Sequence, residues 1–317
     1  MSNAPPRVGL TLGFVLCGLG ATTGVSASVA QAPPTFGSSV EAVYVDAFVT
    51  RDGEPVLGLP ASAFELRVGG AQQAVELVAV ESLPLTALLV FDTSASVVGA
   101  KLTALRRASE AFLDGLRPED ELGLLSFSHE VRWQARPTRD RDAVRRALLA
   151  CQASGGTALW DGLHAGLVLL PTRARSLVVV FTDGEDNMSW LEEAQVRAAA
   201  RVSNAVIHVV GLRSGTEVDP AFFAKHGRGV EPDHVRAVRA TAEVTGGRFW
   251  TAESPARLRA AFAAIVAAMN TRYVLRFEPS ARSGPGWHPI QLRLRGVKGE
   301  VRARGGYFRG PIPSSSR

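Results

Sequence analysis

Cysteine is almost absent from this chain: two in 317 residues, Cys17 and Cys151. Cys17 lies in the apolar N-terminal stretch described below, so a processed chain keeps Cys151 alone and has no internal disulfide. That excludes a small disulfide-stapled scaffold and leaves the redox compartment open. Cys151 follows a helical pattern over 141–150 and reads as a small core-lining residue rather than a reactive thiol. Histidine is also scarce, and the six present (129, 164, 208, 226, 234 and 288) show no paired metal-ligand spacing. His208 sits inside an apolar run and reads as a core histidine. CxxC, the GxSxG elbow and a phosphate loop are missing. The GLGATTG stretch lacks the dinucleotide glycine spacing. Charge of one sign is lacking too: 35 Lys+Arg face 30 Asp+Glu, for a net +5. The arginines are interspersed with acids, and no basic patch stands out, which argues against a nucleic-acid partner. Hydrophobic residues make up 46%, enough for a full core, so general disorder is excluded.

The longest uncharged apolar stretch is at the start. Arg7 is the only charged side chain in residues 1–30, the stretch from Val8 to Val25 follows, and small residues from Ser26 to Ala30 come next. A basic start, an apolar middle and a small-x-small end make a secretory signal, with Ser28-Val29-Ala30 as the cleavage site. Cutting after Ala32 would place Pro33 next to the cut. A retained anchor is the alternative, because the run is near the minimum of about 18 residues for a span. Leu16 stands where a lipoprotein signal needs a small residue. The protein is therefore expected to be exported, to the periplasm, the cell envelope or the exterior. It touches a membrane only through that signal if uncleaved.

The remainder divides by rhythm. Residues 31–83 read as an N-terminal β region, with strands at 40–50, 64–68 and 74–80 joined by turns such as Arg51-Asp52-Gly53. From 84 to 270, strands alternate with helices. Strands are expected at 85–91, 122–127, 131–135, 176–181, 205–210 and 247–251, and helices at 100–116, 141–150, 159–170, 191–203, 233–244 and 256–269. The run at 85–91 is almost unbroken in its apolar residues, as in a strand buried on both faces of a parallel sheet, and 176–181 reads as another such strand. The fold class is α/β, doubly wound, with a mostly parallel sheet and helices on both faces. Residues 271–310 revert to β, with strands at 272–277, 290–295 and 301–308, and 311–317 form a disordered tail. Neither β set alone buries much apolar surface, so both are expected to pack together as a small sandwich-like region beside the α/β domain.

In open α/β sheets, ligands sit beyond the carboxyl ends of the strands. Three segments meet that condition: Asp92-Thr93-Ser94-Ala95-Ser96, Asp183-Gly184, and Ser154-Gly155-Gly156-Thr157. Asp92, Ser94, Ser96, Thr157 and Asp183 offer two carboxylates and three hydroxyls. That all-oxygen set suits Mg²⁺, Mn²⁺ or Ca²⁺ and not Zn²⁺. Each piece also has a plain structural reading. Ser94 or Ser96 caps the helix near 100, Asp183-Gly184 is a turn, and Thr157 caps the next helix.

The five positions, in this order, resemble the metal-ion-dependent adhesion site of von Willebrand factor type A domains, over residues 84–270. The resemblance implies that Ser94 and Ser96 bind the metal directly. Thr157, Asp92 and Asp183 then bind it directly or through water, and an acidic residue of a protein partner completes the coordination. The flanking stretches 40–70, 272–279 and 301–308, together with Thr245-Gly246-Gly247-Arg248, resemble a bacterial group of exported VWFA-related proteins.

The expected function is an exported, divalent-metal-dependent protein-binding module, with Mg²⁺ first and Mn²⁺ or Ca²⁺ as alternatives, and no enzymatic activity. Glu185, Trp190, Phe222, Phe223, Lys225 and Arg228 are the expected partner-binding rim. Phe222 and Phe223 have an equal structural reading as pins for their loop. A structural envelope domain with a stabilising metal, and a hydrolase using the metal to activate water, are the alternatives. The adhesion reading also implies that a shift of helix 256–269 would reach strand 272–277.

Overall fold

The computed structural model describes residues 42–310 apart from 171–174, 184–185, 213–232 and 281–283. The expected signal (1–30), the tail (311–317) and the loop bearing Phe222, Phe223, Lys225 and Arg228 lie outside the described residues.

The N-terminal flank contributes β1 (Val43–Arg51), β2 (Glu54–Pro55), β3 (Phe64–Val68), β4 (Ala71–Gln73) and β5 (Glu76–Val78). The middle of the chain then alternates. In order it forms β6 (Thr86–Asp92), α1 (Ala100–Gly115), β7 (Glu121–Phe127), β8 (Val131–Thr138), α2 (Arg141–Ala150) and α3 (Leu159–Leu169). It continues with β9 (Ser176–Thr182), α4 (Glu193–Val202), β10 (Ala205–Leu212), α5 (Asp233–Glu243), β11 (Arg248–Ala252) and α6 (Pro255–Asn270). The C-terminal flank adds β12 (Tyr273–Phe277), β13 (Gly286–Leu294), β14 (Glu300–Arg302) and β15 (Gly306–Arg309).

The middle strands form one sheet in the order β11-β10-β9-β6-β7-β8. All its neighbours are parallel except β7 and β8, which form an antiparallel hairpin. Every residue of β6 and β9 is buried, in keeping with the apolar runs at their centres, as in strands covered on both faces. Their side chains alternate between two cores. Ala87, Leu89 and Phe91 pack with Leu105 and Phe112 of α1, Val144 of α2 and Phe262 of α6, whereas Leu88 and Val90 pack with Leu163 of α3, Val196 of α4 and Val238 of α5. The molecule is thus α/β, with a mostly parallel sheet sandwiched between helices.

The flanking strands form two further sheets, ordered β14-β1-β12-β5 and β15-β13-β3-β4, with β2 beside β1. β1 from the N-terminal side pairs antiparallel with β12 from the C-terminal side, and β3 pairs with β13. Val45, Ala47, Val49, Phe64, Leu66, Leu275, Phe277 and Tyr307 make the core of this region. The strand expected at 74–80 is shorter, β5 alone, and follows the crossing from β4 at residues 74–75. The stretch expected as a single strand at 301–308 is broken, because the chain crosses from one sheet to the other. Residues 301–308 split between β14 and β15, where Arg304 turns inward and Gly305 N–H reaches the Val244 carbonyl at 3.3 Å. Such corners are how strands change sheets in a sandwich.

A buried ionic cluster sits among the flanking strands and the α/β domain. Asp46 of β1 is 7% exposed, and it is surrounded by Arg175 at 0%, Arg272 at 3% and Arg304 at 9%. Arg175 precedes β9 and donates to the carbonyls of Leu83 and Met269. Arg272, in the two-residue link between α6 and β12, donates to the carbonyls of Gly246 (2.8 Å) and Asp46 (3.4 Å). Arg304 donates to Asn204 ahead of β10. Burial pushes Arg272 and Arg304 down to about 10, which leaves both charged at neutral pH. Three guanidinium groups therefore share one carboxylate, and their carbonyl partners supply the remaining compensation.

The turn Thr245-Gly246-Gly247 between α5 and β11 has no room for a side chain at either glycine. Gly246 takes φ +78°, and a Cβ there would lie 2.7 Å from the Ala303 carbonyl carbon, while one on Gly247 would lie 1.7 Å from the Ile207 oxygen. Thr245 Oγ1 accepts the Ile207 N–H at 2.9 Å and donates to the Ala242 carbonyl at 2.6 Å, which holds the turn against β10. Gly247→Ala is expected to lower the unfolding free energy by about 3 kcal/mol or more, the upper range for a point substitution. Gly305→Ala, where a Cβ meets open space, should shift it by less than about 0.5 kcal/mol. Urea unfolding midpoints of the full chain compare the two.

Candidate metal centre

β6 is the first strand of the sheet and lies at its middle, with β7 on one side and β9 on the other. The direction of winding therefore reverses between β6 and β9, and the crevice at their carboxyl ends is where such sheets bind ligands. The parallel register pairs Phe91 with Phe181, so Asp92 and Thr182 end their strands side by side. Thr182 Oγ1 donates to Asp92 Oδ2 at 2.8 Å, and the Ser94 N–H donates to Asp92 Oδ1 at 2.9 Å. Asp92 is fully buried. Burial raises its carboxyl above the ordinary value, opposed by the bonds from Ser94 and Thr182 and reinforced by the nearby Asp183.

The serines continue the chain of contacts. Ser94 Oγ lies 2.9 Å from Ser96 Oγ, and Ser96 Oγ donates to Asp183 Oδ1 at 2.7 Å. Neither serine caps a helix: the N-cap of α1 is Gly99 with no side-chain bond, and Ser94 makes no side-chain cap to the short turn that follows it. The plain reading of these hydroxyls as caps therefore fails.

Thr157 enters on the loop between α2 and α3. That loop is laid along the β6 loop by backbone bonds, Ser154 N–H to the Thr93 carbonyl at 2.8 Å and Ala95 N–H to the Gly155 carbonyl at 2.9 Å. Gly155 and Gly156 permit the approach. A Cβ on Gly155 would strike the His129 ring at 2.1 Å, and one on Gly156 would strike Met188 at 2.4 Å. Thr157 is 4% exposed, and its N–H donates to Asn187 Oδ1 at 2.8 Å. It is not the cap of α3 either: Ala158 holds that position without a side-chain bond, and the Leu159 N–H goes to Asp186 Oδ1 at 2.8 Å.

The structure therefore brings Asp92, Ser94, Ser96 and Asp183 into one hydrogen-bonded chain, with Thr157 on the adjoining loop. The donor set consists of carboxylate and hydroxyl oxygens, held by strand ends and backbone bonds. Asp92 and Asp183 stand close together here, and burial first, then Asp183, raises the Asp92 carboxyl. Chemically the residues fit a hard divalent cation.

Sequence reasoning missed Lys101. Its ammonium lies 2.7 Å from Asp183 Oδ2, and the Asp183 side chain is 1% exposed. A lysine in the first turn of a helix carries no sequence signal of its own. It also missed Thr182, whose hydroxyl positions Asp92, and Asp161, whose carboxylate accepts the N–H groups of Trp190 and Leu191 at 3.0 Å each. Of the expected rim, Trp190 is 94% exposed on the loop leading to α4. Glu185, Phe222, Phe223, Lys225 and Arg228 lie outside the described residues.

Residues 87–185, which span all five positions, match the family model of the von Willebrand factor type A domain. The chain carries a von Willebrand factor type A domain. An uncharacterized protein of Synechocystis is 30% identical over 164 residues, 49% of this chain and 38% of its own length. Inter-alpha-trypsin inhibitor heavy chain H2 of Mesocricetus auratus is 27% identical over 161 residues, 46% of this chain and 17% of its own length. The chain thus spans less than half the length of either curated relative. Among solved structures, a von Willebrand factor type A protein from Catenulispora acidiphila superposes with a TM-score of 0.50 at 16% identity, covering 81% of this chain and 74% of that one. At that identity the likeness is one of fold.

Cys151 opens the loop that carries Thr157. It is 2% exposed, and burial pushes its thiol up to about 11, against the pull of Arg106. A raised thiol value means less thiolate at any pH below it. At pH 8 only about one molecule in a thousand carries the nucleophilic form. Alkylation of Cys151 by iodoacetamide, read at the peptide by mass spectrometry, is expected to be at least roughly a hundredfold slower in the native protein than in denaturant. Equal rates would show that the loop opens freely.

Proposed function

We propose that this protein is an exported protein-binding module whose domain binds a partner through a divalent cation, Mg²⁺ first, held by Asp92, Ser94, Ser96, Thr157 and Asp183. The single observation that carries the reading is the Asp92–Ser94–Ser96–Asp183 chain of contacts at the switch point of the sheet. Two carboxylates balance a dication, and neutral hydroxyls leave it electrophilic, so an acidic side chain from a protein partner can complete its coordination. Trp190, almost fully exposed on the same side as the Thr157 loop, would belong to the contact surface. Export rests on the N-terminal pattern of residues 1–30. Among the described residues, no helix is long and apolar enough to cross a membrane.

A catalytic role has less support. No general base stands out among the described residues, and the Asp186 carboxylate accepts the Leu159 N–H and the Ser189 hydroxyl through Oδ1 and so serves as a loop anchor. The reading with a purely stabilising metal differs from ours in what metal removal does. Loss of folding on metal removal would favour it.

Lys101 bears on affinity. Its ammonium pairs with Asp183, so an incoming cation competes with a charge already present. Calorimetric titration of Mg²⁺, Mn²⁺ and Ca²⁺ into the metal-stripped full chain is expected to give one site per chain. Asp92→Ala and Ser94→Ala should abolish it, and Lys101→Met should tighten it on the order of tenfold, about 1.4 kcal/mol. A folded chain that takes up no metal, or takes it up equally in all variants, would overturn the proposal.

A further inference from the structure

A second feature lies on the β11 edge of the sheet, toward the amino end of that strand and the carboxyl end of α6, away from the Asp92 crevice. It is a half-open cleft of about 830 Å³ between the α/β domain and the flanking strands, well within the size range of small-molecule sites. Three properties set it apart from an ordinary surface groove.

The first is charge. Arg51, Arg248, Arg272, Lys298 and Arg302 line the cleft, against the carboxylates of Asp52 and Glu300. Arg302 and Glu300 are a loose pair at 3.8 Å, and Arg51 Nε is turned to the Lys298 carbonyl at 3.1 Å. Burial lowers Arg248, and the nearby Arg302 and Arg239 lower it further, so these guanidinium groups crowd one another.

The second is incomplete pairing. Arg272 is 3% exposed, and its Nε has no hydrogen-bond partner among the described residues. It also belongs to the cluster in which three buried guanidinium groups share Asp46, so positive charge is in excess on this wall. His208 lines the same cleft. Its Nδ1 accepts the Trp250 Nε1–H at 3.1 Å, so the neutral ring carries its proton on Nε2, which also lacks a partner among the described residues. A buried donor without an acceptor is costly, and natural proteins rarely leave two beside one cavity without use.

The third is an apolar wall. Ala264, Ala267 and Ala268 of α6 line the cleft together with Phe48 and Trp250. The two rings already carry cations: the Arg272 guanidinium lies 5.8 Å from the Phe48 ring centre and the Arg248 guanidinium 4.7 Å from that of Trp250. Stacking holds these cations at the cleft instead of releasing them to solvent.

We propose that this cleft binds a small organic carboxylate with an apolar body. The carboxylate sits over Arg272 between Arg248 and Arg302, and the body lies against the alanines of α6. Charge-assisted pairing to a planar guanidinium supplies orientation, and the apolar wall supplies the preference for an organic acid over a simple anion. The site needs no metal at Asp92, and the proposal stands or falls separately from the one above.

The probe is 1-naphthoate, titrated into the full chain by calorimetry and by Trp emission, with 1-naphthalenemethanol and inorganic phosphate as comparisons. Saturable binding of one naphthoate per chain is expected, at a Kd of roughly millimolar or below. The alcohol and phosphate should each bind at least tenfold more weakly, and Trp250→Phe should remove most of the emission change. Arg272→Gln should abolish binding. Because that residue is buried and its loss can unfold the chain, Arg248→Gln and Arg302→Gln on the cleft wall carry the decision. Each is expected to weaken naphthoate at least tenfold, keep the circular dichroism of the parent and leave the alcohol unchanged. Absence of saturable naphthoate binding, equal binding of acid and alcohol, phosphate as tight as naphthoate, or unchanged affinity in both folded wall variants would overturn the proposal.

Discussion

The parallel register of β6 against β9 is the constraint on which the rest depends. It pairs Phe91 with Phe181, so both strands end at one level. Asp92 and Thr182 then meet at hydrogen-bond distance, and Asp183 follows one residue later. A slip of one residue would turn every side chain of β6 to the wrong core. The alternation of Ala87, Leu89 and Phe91 against Leu88 and Val90 between two separately packed cores is what forbids the slip. The placement of the polar residues is thus an outcome of apolar packing below them.

This explains why so much of the α/β domain was legible in sequence. A strand buried on both faces must be apolar throughout, and a covering helix must repeat its apolar positions every three to four residues. Both patterns are visible without knowledge of neighbours. The site was legible for a related reason: polar residues directly after a buried strand stand out against it. What escaped was pairing that depends on distant residues. Lys101 reads as a solvated helix charge until Asp183, 82 positions away, is placed beside it. Arg175, Arg272 and Arg304 read as surface residues, because arginine is rarely buried. Only the meeting of β1, the α6–β12 link and the β14–β15 corner around Asp46 reveals otherwise. The broken strand at 301–308 escaped for the same reason, since a sheet-switching corner keeps the alternation of a continuous strand.

The flanking region and the α/β domain are joined by polar groups as well as by packing. Arg272 bonds the carbonyl of Gly246 in one region and that of Asp46 in the other, and Gly246 itself leaves no space between its backbone and residues 303–304. Directional bonds to carbonyls fix an orientation more tightly than apolar contact does, because apolar contact tolerates sliding. Removing one member of such a cluster strands a buried charge, so the joint resists piecemeal change.

The two polar sites handle charge in opposite ways, and α6 borders the second while packing in the core of the domain that holds the first. At the carboxyl ends of β6 and β9, two carboxylates stand close together, and Lys101 satisfies one of them. On the β11 edge, cations outnumber carboxylates, and a buried guanidinium keeps an unpaired N–H. The first arrangement places like negative charges together and the second like positive ones, so each is the electrostatic inverse of the other. Phe262 and Ile265 of α6 face the core shared with Phe91, while Ala264 and Ala268 face the cleft. A displacement of this helix would therefore alter both environments, and its two-residue link to β12, anchored by Arg272, sets how far such a displacement can go before buried hydrogen bonds break.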